Sequence, residues 1–596
     1  MISPMTKYSF ILLSGEQEGF LQKLQEVGLV DITRSVKPVD DRSQALLDRA
    51  ESLRGILGDL GRLEFPEGTA PTAVPGDLET EAKALLKERE TLEEEQKAVI
   101  RDLALRTPWG AFDPKPLQGL ADLGYPVHFH VTPTKAFKEE WAQEYPLQIV
   151  STEGGKTRYV VLGEDPLPDE VAAPAGDYRE AALRADDLRE RLADNLSRLL
   201  YVKEHAEQLE NACQEQLSRL DLYLAGAAAV PEAENTLVTL VGYCPSEQVE
   251  TADKAIDATG VFCLKEEAVL QDNPPISLKN NAFVRMFEPL TDMYGRPAYD
   301  GFDPTPFLSI FFLLFFAMCM GDAGYGIVLL IVGLAMRKID SFKSMSGLVT
   351  TLGIGTMVVG FWFHTFFSMD ISKWAVFENL QWLFLPEHLF GLEYDAAMVL
   401  SLIVGVVHIC LALIVKTVIA TKNNGFLESL GTWGWTLLIV GGVVVAAMAL
   451  SGVMDAGLTK MVIIILGGLS VLGIFVFNNI HRNPLANIGA GLWDTYNTAT
   501  GLLGDVLSYL RLYALGLAGA MLGYAFNDLG LMILGDGGIG QWIGFIAVVV
   551  IGHALNIAMC ALGAFVHPLR LNFLEFFKNS GYEGAGRNYK PLQKQQ

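Results

Sequence analysis

LSYLRLYALGLAGAML, residues 507–522, and GHALNIAMCALGAFVHPLRLNFLEFF, residues 552–577, are apolar segments with helical character, and each contains one arginine. These arginines are Arg511 and Arg570. Arginine stays protonated inside proteins, so it cannot reduce the cost of burial by losing its charge. A charged arginine at the centre of a bilayer costs about 3 kcal/mol on insertion scales. One such residue could snorkel from a helix end, but two in successive helices predict functional groups that face protein or water rather than lipid.

The second segment carries a polar stripe along one helix face. Its members recur at steps of three and four residues: His553, Asn556, Cys560, Gly563, His567 and Arg570. Because this spacing matches the helix period, they share one side, and a polar side in lipid implies a wet cavity or a partner. In the first segment Ser508 shares a face with Arg511. The nearby Gly516, Gly519 and Gly523 leave this face thin enough for another helix to approach closely. Ordinary helix packing explains these glycines equally well.

The two halves of the chain differ sharply in charge. Residues 1–300 hold 31 basic and 53 acidic side chains, whereas residues 301–596 hold 14 and 16. The acidic half argues against nucleic acid as a partner, because phosphate binding needs a basic surface. The chain begins without a basic segment followed by a long apolar run, so we expect no signal peptide. We predict a cytoplasmic arm over residues 1–300 and a membrane domain over residues 301–596.

Residue types that would indicate catalysis or metal binding form no pattern in this sequence. The six cysteines are scattered, and no two stand at a ligand spacing. EGGKT at residues 153–157 ends like a nucleotide-binding loop, but Val150 stands where the first glycine is required. His128 and His130 alternate on a predicted strand and could bind a metal, although a solvent-facing pair is the favoured interpretation. We expect no catalytic residues, no metal site and no cofactor.

The arm is predicted to be a mixed α/β dumbbell. One β-α-β unit covers residues 8–33 and a second covers residues 236–265, and two such units commonly combine into one ferredoxin-like sandwich. Long helical patterns with a loose coiled-coil seam lie between them at residues 41–62, 77–106 and 177–224, each read as one helix. A second α/β lobe is inserted at about residues 109–176. Two lobes joined by long coiled-coil helices would form a strut.

The second half is predicted to be an all-α domain of eight transmembrane helices. The apolar segments lie at residues 305–320, 323–336, 348–367, 396–415, 432–450, 461–477, 500–526 and 542–565. The first two are short for a bilayer crossing. With the arm in the cytoplasm, ten basic residues fall on the inner side, and only Lys373 and Lys460 fall in outer loops. Since basic residues favour the cytoplasmic side, this asymmetry supports eight spans with both termini inside.

Several motifs carry a resemblance to a known family. MCMGDAGYG (318–326), SYLRLYALGLAG (508–519), HPLRLNFLEFF (567–577) and GYEGAGRNYKPL (581–592) resemble the a subunit, also called subunit I, of V-type and A-type rotary ATPases. The resemblance implies a non-catalytic stator in the cell (inner) membrane that holds an ion path beside the rotating c-ring (proteolipid) subunits. It also implies that the arm binds peripheral stalk subunits of the E/G type and lies near the central rotor cap, a d/C type subunit.

The resemblance places the two ion-translocation arginines of the family on Arg511 and Arg570. A permanent guanidinium would keep a ring carboxylate ionised and would repel passing cations. Where eukaryotic members carry a histidine and a glutamate near these arginines, this chain has Gly519 and Cys560, so it resembles the prokaryotic branch. The half-channel candidates therefore come from the stripe and its surroundings: Ser508, His567, Asn556, Glu575, His553 and Asp505.

Two other functions fit part of the sequence. A secondary ion transporter with a cytosolic regulatory arm would also carry intramembrane charges, but it predicts a pseudo-repeat with broken helices in both halves of the domain. A membrane scaffold without transport would use the arginines only to bridge helices. The sequence leaves open whether the ion is H⁺ or Na⁺ and whether ATP is made or consumed.

Overall fold

The computed structural model of the chain describes residues 2–35, 37–66, 68–110, 114–164, 167–172, 178–232, 234, 236–339, 342–374, 378–386, 388–389, 393–477, 484–535 and 537–594. The chain forms two compact units. The first consists of Met1–Phe10, Val241–Lys254 and Cys263–Pro591, and the second consists of Ile11–Leu240, Ala255–Phe262 and Leu592–Gln596. These units are defined by packing, so the division at residue 300 between an arm and a membrane domain stays a prediction.

The described part of residues 1–300 contains both strands and helices. The strands are β1 Met5–Leu13, β2 Asp31–Ile32, β3 Val127–Pro133, β4 Leu147–Glu153, β5 Lys156–Leu162, β6 Glu170–Val171, β7 Val230–Glu232, β8 Leu237–Pro245, β9 Phe262–Glu267 and β10 Pro275–Ile276. The helices are α1 Gln17–Val27, α2 Asp41–Arg62, α3 Leu78–Arg106, α4 Pro114–Asp122, α5 Trp141–Glu144, α6 Tyr178–Glu204, α7 Ala206–Ala227, α8 Val249–Asp257, α9 Ala282–Arg285 and α10 Glu288–Tyr294.

The two predicted β-α-β units share one sheet. Its strands follow the order β2-β8-β1-β9, with β7 paired to β8. This interleaved order is the arrangement expected when two such units combine. Tyr8 on β1 donates a hydrogen bond to Asp253 on α8 at 2.7 Å, and Lys265 on β9 donates to the same carboxylate at 2.7 Å. Burial, and then the bond to Asp253, raise the pKa of Tyr8 well above its usual value, so the hydroxyl stays a donor.

Four helices of the second unit build an apolar core. Leu53 on α2, Leu85 on α3 and Leu199 on α6 are nearly fully buried in it, together with residues of α7. The prediction of one helix over residues 177–224 is wrong, because α6 and α7 are separated at His205. The His205 ring bonds to Tyr201 O at 2.8 Å, and its centroid lies 4.1 Å from that of the Tyr201 ring. This local side-chain bond competes with the helical backbone bonds.

A four-stranded sheet forms the predicted second lobe, in the order β4-β5-β3-β6. His130 on β3 is fully buried, and its ring is parallel to that of Tyr159 at a centroid distance of 5.1 Å. His128 Nδ1 lies 2.7 Å from Glu170 Oε1. The favoured solvent-facing interpretation is therefore wrong for His130, because its imidazole serves as an aromatic core residue. Among the described residues, no group of three or more His, Cys, Asp or Glu side chains is arranged to hold a metal ion.

The second half of the chain is mainly helical. Its helices are α11 Thr305–Met320, α12 Ala323–Met336, α13 Lys343–Trp362, α14 Ala396–Asn424, α15 Leu430–Thr436, α16 Gly442–Leu450, α17 Ala456–Val471, α18 Pro484–Ser508, α19 Leu510–Leu534, α20 Ile539–Arg570 and α21 Lys578–Ser580. The short strands are β11 Thr365–Phe366, β12 Met369–Asp370 and β13 Arg587–Asn588. Stretches of π-helix follow α15, α17 and α20, at Leu437–Gly441, Leu472–Val476 and Leu571–Phe577.

Within the described residues, six helical segments are long and apolar enough to cross a membrane: Lys343–Trp362, Ala396–Asn424, Leu430–Leu450, Ala456–Val476, Asn487–Leu534 and Ile539–Ser580. The two shorter apolar helices, α11 and α12, have 16 and 14 residues. At 1.5 Å per residue these two are about 24 and 21 Å long, somewhat less than a hydrocarbon core of about 30 Å. Each of the eight predicted segments overlaps one of these six long segments or two short helices. That all eight cross the membrane stays a prediction.

A buried carboxylate joins α12 to the hairpin formed by β11 and β12. Asp322 accepts backbone N–H groups of Gly324 at 2.8 Å and Tyr325 at 3.2 Å, and thereby caps α12. It also accepts those of Phe367 at 2.9 Å and Ser368 at 2.5 Å, which form the turn of the hairpin. Both turn residues have positive φ, 46° and 56°, a conformation that Asn and Gly normally supply. The carboxylate compensates for this strain by satisfying both buried donors.

Candidate functional site

The helices that carry the arginines pack closely because small residues separate them. A Cβ atom added at Gly519 on α19 would lie 2.6 Å from Cys560 Sγ on α20, and one added at Gly523 would lie 3.0 Å from Asn556 Nδ2. Larger side chains at these positions would force the helices apart. The part of the polar stripe near Asn556 and Cys560 therefore faces α19.

The structure divides the polar stripe of α20 into two groups. His553, Asn556 and Cys560 belong to one group, which we call the tyrosine network: Tyr325, Asn527, His553, Asn556 and Cys560. His567 and Arg570 belong to the other, which we call the arginine cluster: Asp505, Ser508, Arg511, His567, Arg570 and Glu575. All eight residues predicted for the ion path are members of one group or the other.

The tyrosine network centres on the Tyr325 hydroxyl. Its oxygen accepts a hydrogen bond from Asn556 Nδ2 at 2.8 Å and lies 2.8 Å from His553 Nδ1. Because that oxygen already accepts from an amide, its own hydrogen is free to point at His553 Nδ1. His553 then carries its proton on Nε2, which lies 2.9 Å from Asn527 Oδ1. A neutral histidine in this tautomer satisfies every bond in the chain.

Further bonds connect the network to the backbone of neighbouring elements. Asn556 Nδ2 also donates to Gly519 O at 2.8 Å, and Cys560 Sγ donates to Asn556 Oδ1 at 3.3 Å. Asn527 Nδ2 donates to Phe367 O at 2.9 Å, in the turn that Asp322 holds. Phenol, imidazole, amide and thiol groups thus form one hydrogen-bonded series between α12, α19 and α20.

The arginine cluster gathers charges from three segments. The charges of Arg511 on α19 and Arg570 at the end of α20 both act on Glu575, as does the charge of Asp505 on α18. The same two arginines act on His567. Arg511 is partly buried, and its Nη1 atom is buried without a hydrogen-bond partner among the described residues. Arg570 is exposed.

Glu575 is the buried carboxylate of the cluster. It lies on the π-helical stretch after α20 and is 4% exposed. Its Oε2 atom has no hydrogen-bond partner in the described part of the chain. By contrast, Asp505 Oδ2 accepts from Asn579 Nδ2 at 2.8 Å, and Asp505 Oδ1 lies 3.7 Å from Lys578 Nζ. Short π-helical stretches occur frequently at functional sites, because they re-aim side chains within a helix.

Cavities adjoin both groups. A polar cavity of about 410 Å³ reaches the arginine cluster, and its lining includes Thr417, Asp494, Asn497, Asp505, Lys578 and Asn579. A smaller cavity of about 120 Å³ adjoins the tyrosine network, with Asn556, Cys560 and Gly519 in its lining. The polar cavity has room for several water molecules, each of which occupies about 30 Å³ in the liquid.

Two residues of the tyrosine network, Asn527 and Tyr325, are not among the site residues predicted from the sequence. Asn527 continues the row of Gly516, Gly519 and Gly523 at helical spacing, so periodicity alone could have indicated it. Tyr325 lies in the GDAGYG motif, but its contact with α20 joins residues 228 positions apart. No local pattern predicts such a long-range pair.

Comparisons with known proteins identify the family to which the chain is similar. A family model described as the V-type ATPase 116kDa subunit family matches residues 176–371 and 499–594, which contain every member of both groups. The V-type ATP synthase subunit I 1 of Treponema pallidum (strain Nichols) is 28% identical over 99% of this chain and 100% of its own length. The V-type ATP synthase subunit I of Borreliella burgdorferi is 23% identical over 100% of both chains.

An archaeal relative and one solved structure are also similar. The A-type ATP synthase subunit I of Methanocaldococcus jannaschii is 30% identical over 59% of this chain and 54% of its own length. A crystal structure of the cytoplasmic N-terminal domain of subunit I, homolog of subunit a, of V-ATPase covers 45% of this chain and 100% of that chain, at 17% identity and a TM-score of 0.18. The chain belongs to the V-type ATPase 116kDa subunit family and is a prokaryotic V-type or A-type ATPase subunit I.

Proposed function

We propose that this chain is the stator that forms the ion path of its rotary ATPase against the rotating c-ring. The observation that carries the proposal is the buried Glu575 of the arginine cluster, on which the charges of Arg511 and Arg570 both act. Arg511 as a whole is only partly buried and its Nη1 atom has no partner among the described residues, which supports a role for its guanidinium in pairing with a carboxylate supplied by another chain. This membrane subunit itself has no part in the chemistry of ATP.

The charge of Arg511 explains how such a site couples rotation to transport. A ring carboxylate that approaches a guanidinium in a medium of low dielectric constant is stabilised in its ionised form, so it releases its ion there. The same positive charge repels cations and blocks direct passage between the two sides of the membrane. An ion can therefore cross only while it is bound to the ring and the ring rotates past the stator.

Two polar routes supply the half-channels in this proposal. The first route is the cavity lined by Asp505, which we propose continues past Ser508, His567 and Glu575 on one side of Arg511. The tyrosine network, with His553 and Asn556, provides the second route. In this proposal Arg511 separates the two routes, so that neither crosses the membrane alone.

The proposal includes the arrangement of the whole chain. Residues 1–300 form a cytoplasmic strut that binds E/G type peripheral stalk subunits and lies near the d/C type rotor cap. Residues 301–596 cross the inner membrane eight times, with α11 and α12 as two short crossings and both termini inside. Arg482, one of the basic residues that support this orientation, lies outside the described residues.

Topology can be tested by labelling from outside the cell. In a variant without native cysteines, a cysteine introduced at Lys373 should react with an impermeant reagent on intact cells, whereas one at Lys338 should react only after permeabilisation. The reason is the excess of basic residues on the inner side. Equal reaction at both positions in intact cells would contradict the eight-span arrangement.

Association with a ring protein tests the function against its alternatives. We expect the tagged chain, extracted in mild detergent, to purify together with an oligomeric proteolipid ring. A secondary transporter or a scaffold would purify without such a ring. Transport by the chain alone in vesicles would favour the transporter, and no transport with or without partners would favour the scaffold.

A further inference from the structure

His408 and Tyr509 form a buried pair beside the arginine cluster that the proposed function does not use. Both residues are fully buried, His408 on α14 and Tyr509 between α18 and α19. His408 Nδ1 lies 2.9 Å from Tyr509 Oη. His408 Nε2 is buried without a hydrogen-bond partner among the described residues. A buried imidazole with one unpaired nitrogen is unfavourable, so the pair calls for a physical explanation.

The pair lies where one long helix is interrupted. α18 ends at Ser508 and α19 begins at Leu510, which leaves Tyr509 between them. Tyr509 N bonds to Val506 O at 3.2 Å and Leu512 N bonds to Tyr509 O at 3.0 Å, so both bonds span three residues instead of four. No proline occurs in residues 485–567 to explain the interruption.

Tertiary contacts hold Tyr509 at this point. A Cβ atom added at Gly405 on α14 would lie 2.3 Å from Tyr509 Cγ, so the ring lies directly on the α14 backbone. Phe315 packs on the same ring at a centroid distance of 5.7 Å. Ser508 Oγ donates to Gly504 O at 3.0 Å, a bond that also bends helices. Together these contacts draw Tyr509 towards α14 immediately before Arg511.

His408 touches residues that neighbour Glu575 and Arg511 of the cluster in the sequence. Its ring is parallel to that of Phe576 at a centroid distance of 4.7 Å, and Phe576 directly follows Glu575. Tyr509, its hydrogen-bond partner, precedes Arg511 by two residues. One imidazole thus contacts the segment that carries the carboxylate and the segment that carries the arginine.

We propose that the hydrogen bond between His408 and Tyr509 positions Arg511. The bond fixes the interruption between α18 and α19, and thereby fixes the direction in which α19 presents Arg511 to Glu575 and to a ring carboxylate. This inference rests on the proposed function. Preorganised charges act well only when their supporting contacts hold them in place.

Tyr509→Phe tests the proposal, because it removes only the hydroxyl. In the complete complex in vesicles, we expect the number of ions transported per ATP hydrolysed to fall by about fivefold, as for the loss of one hydrogen bond. Spin labels at the exposed Leu492 on α18 and Met521 on α19 should show a broader distance distribution than in the parent complex. Tyr524→Phe, at an exposed tyrosine of α19, is the matched control and should change neither quantity.

The double variant His408→Phe with Tyr509→Phe covers the case in which the single variant does not assemble. It replaces both polar partners by apolar rings, so packing is kept and no polar atom of the pair is left unpaired. We expect the double variant to assemble and to transport fewer ions per ATP hydrolysed than the parent complex. A normal ratio would show that packing, and not the hydrogen bond, positions Arg511, and would overturn the proposal.

Arg511→Ala, measured in parallel, separates the two hypotheses. If Arg511→Ala has no transport and Tyr509→Phe has a normal ratio and an unchanged label distance, only the positioning role is overturned. If Arg511→Ala transports ions normally, the proposed function is overturned as well.

Discussion

Replacing Arg511 by alanine is expected to abolish ATP-driven ion transport in vesicles that contain the complete complex. Without the guanidinium, nothing stabilises the ionised ring carboxylate between the two routes, and nothing repels cations that pass from one route to the other. ATP hydrolysis by the detached catalytic head should persist, because that chemistry belongs to other subunits. Uptake of H⁺ and of Na⁺ must both be measured, since the sequence of this chain does not determine which of the two ions is transported.

Arg511→Lys and Arg570→Ala are the informative companion variants. Lysine keeps a positive charge, but it is a compact ammonium that can lose its proton when buried, and it lacks the planar fork that engages a carboxylate twice. We therefore expect Arg511→Lys to lose most transport. Arg570 is exposed at the end of α20, so Arg570→Ala should be milder if it only assists, and equally severe if both arginines hold the carboxylate in turn. Near-normal coupled transport by Arg511→Ala, in an intact complex, would remove the basis for an ion path at this site.

Replacing Asp322 by alanine is expected to cause the largest loss of stability among single substitutions in the membrane half. Asp322 is 2% exposed and accepts four backbone N–H groups, two at the start of α12 and two in the turn of the β11–β12 hairpin. Each buried donor left without an acceptor costs about 1–3 kcal/mol. The sum is a large share of the roughly 5–15 kcal/mol that stabilises a typical domain.

The melting temperature of the purified chain, and amide hydrogen exchange at Phe367 and Ser368, measure this effect. Asp322→Asn keeps one oxygen for most of the donors but turns an NH₂ group towards the Ser368 N–H, so we expect an intermediate loss. Asp395→Ala is the matched control, because Asp395 lies at an exposed position and its carboxylate accepts only one backbone N–H of α14 among the described residues, that of Ala397 at 2.8 Å, together with the Tyr513 hydroxyl at 3.3 Å. It should cost only about 1 kcal/mol. Similar melting temperatures for Asp322→Ala and Asp395→Ala would contradict a structural role for Asp322.

The polar stripe of α20 shows what helical spacing can predict, namely which side chains share a face, and what it cannot predict, namely their partners on other helices. Spacing correctly placed His553, Asn556 and Cys560 on one face, and the structure joins them through hydrogen bonds. It could not show that the stripe serves two groups, because the partners come from other helices. Tyr325 on α12 defines the first group, and Arg511 on α19 defines the second.

Two histidines show that local sequence does not predict the burial and the partners of a polar side chain. His130 was predicted to face solvent and is a core residue, because its neighbour Tyr159 belongs to a strand that pairs from a distance. His408 carried no signal in an apolar helix, and yet it bonds to Tyr509, 101 residues away. Burial of a polar side chain depends on which surface it meets, and local sequence does not contain that information.

By itself, the sequence determined the apolar helices of the membrane half, the excess of acidic residues in the first half, the two β-α-β units and the family. These properties follow from composition and from periods of two and 3.6 residues, which act over short distances along the chain. Only the tertiary structure decided that α6 and α7 separate at His205, that Asp322 holds a strained hairpin, and that Glu575 lies buried near both arginines. Each of these features depends on contacts between segments that are distant in sequence, or on competition for a backbone hydrogen-bonding group. Such contacts and such competition are decided only when the whole chain packs together.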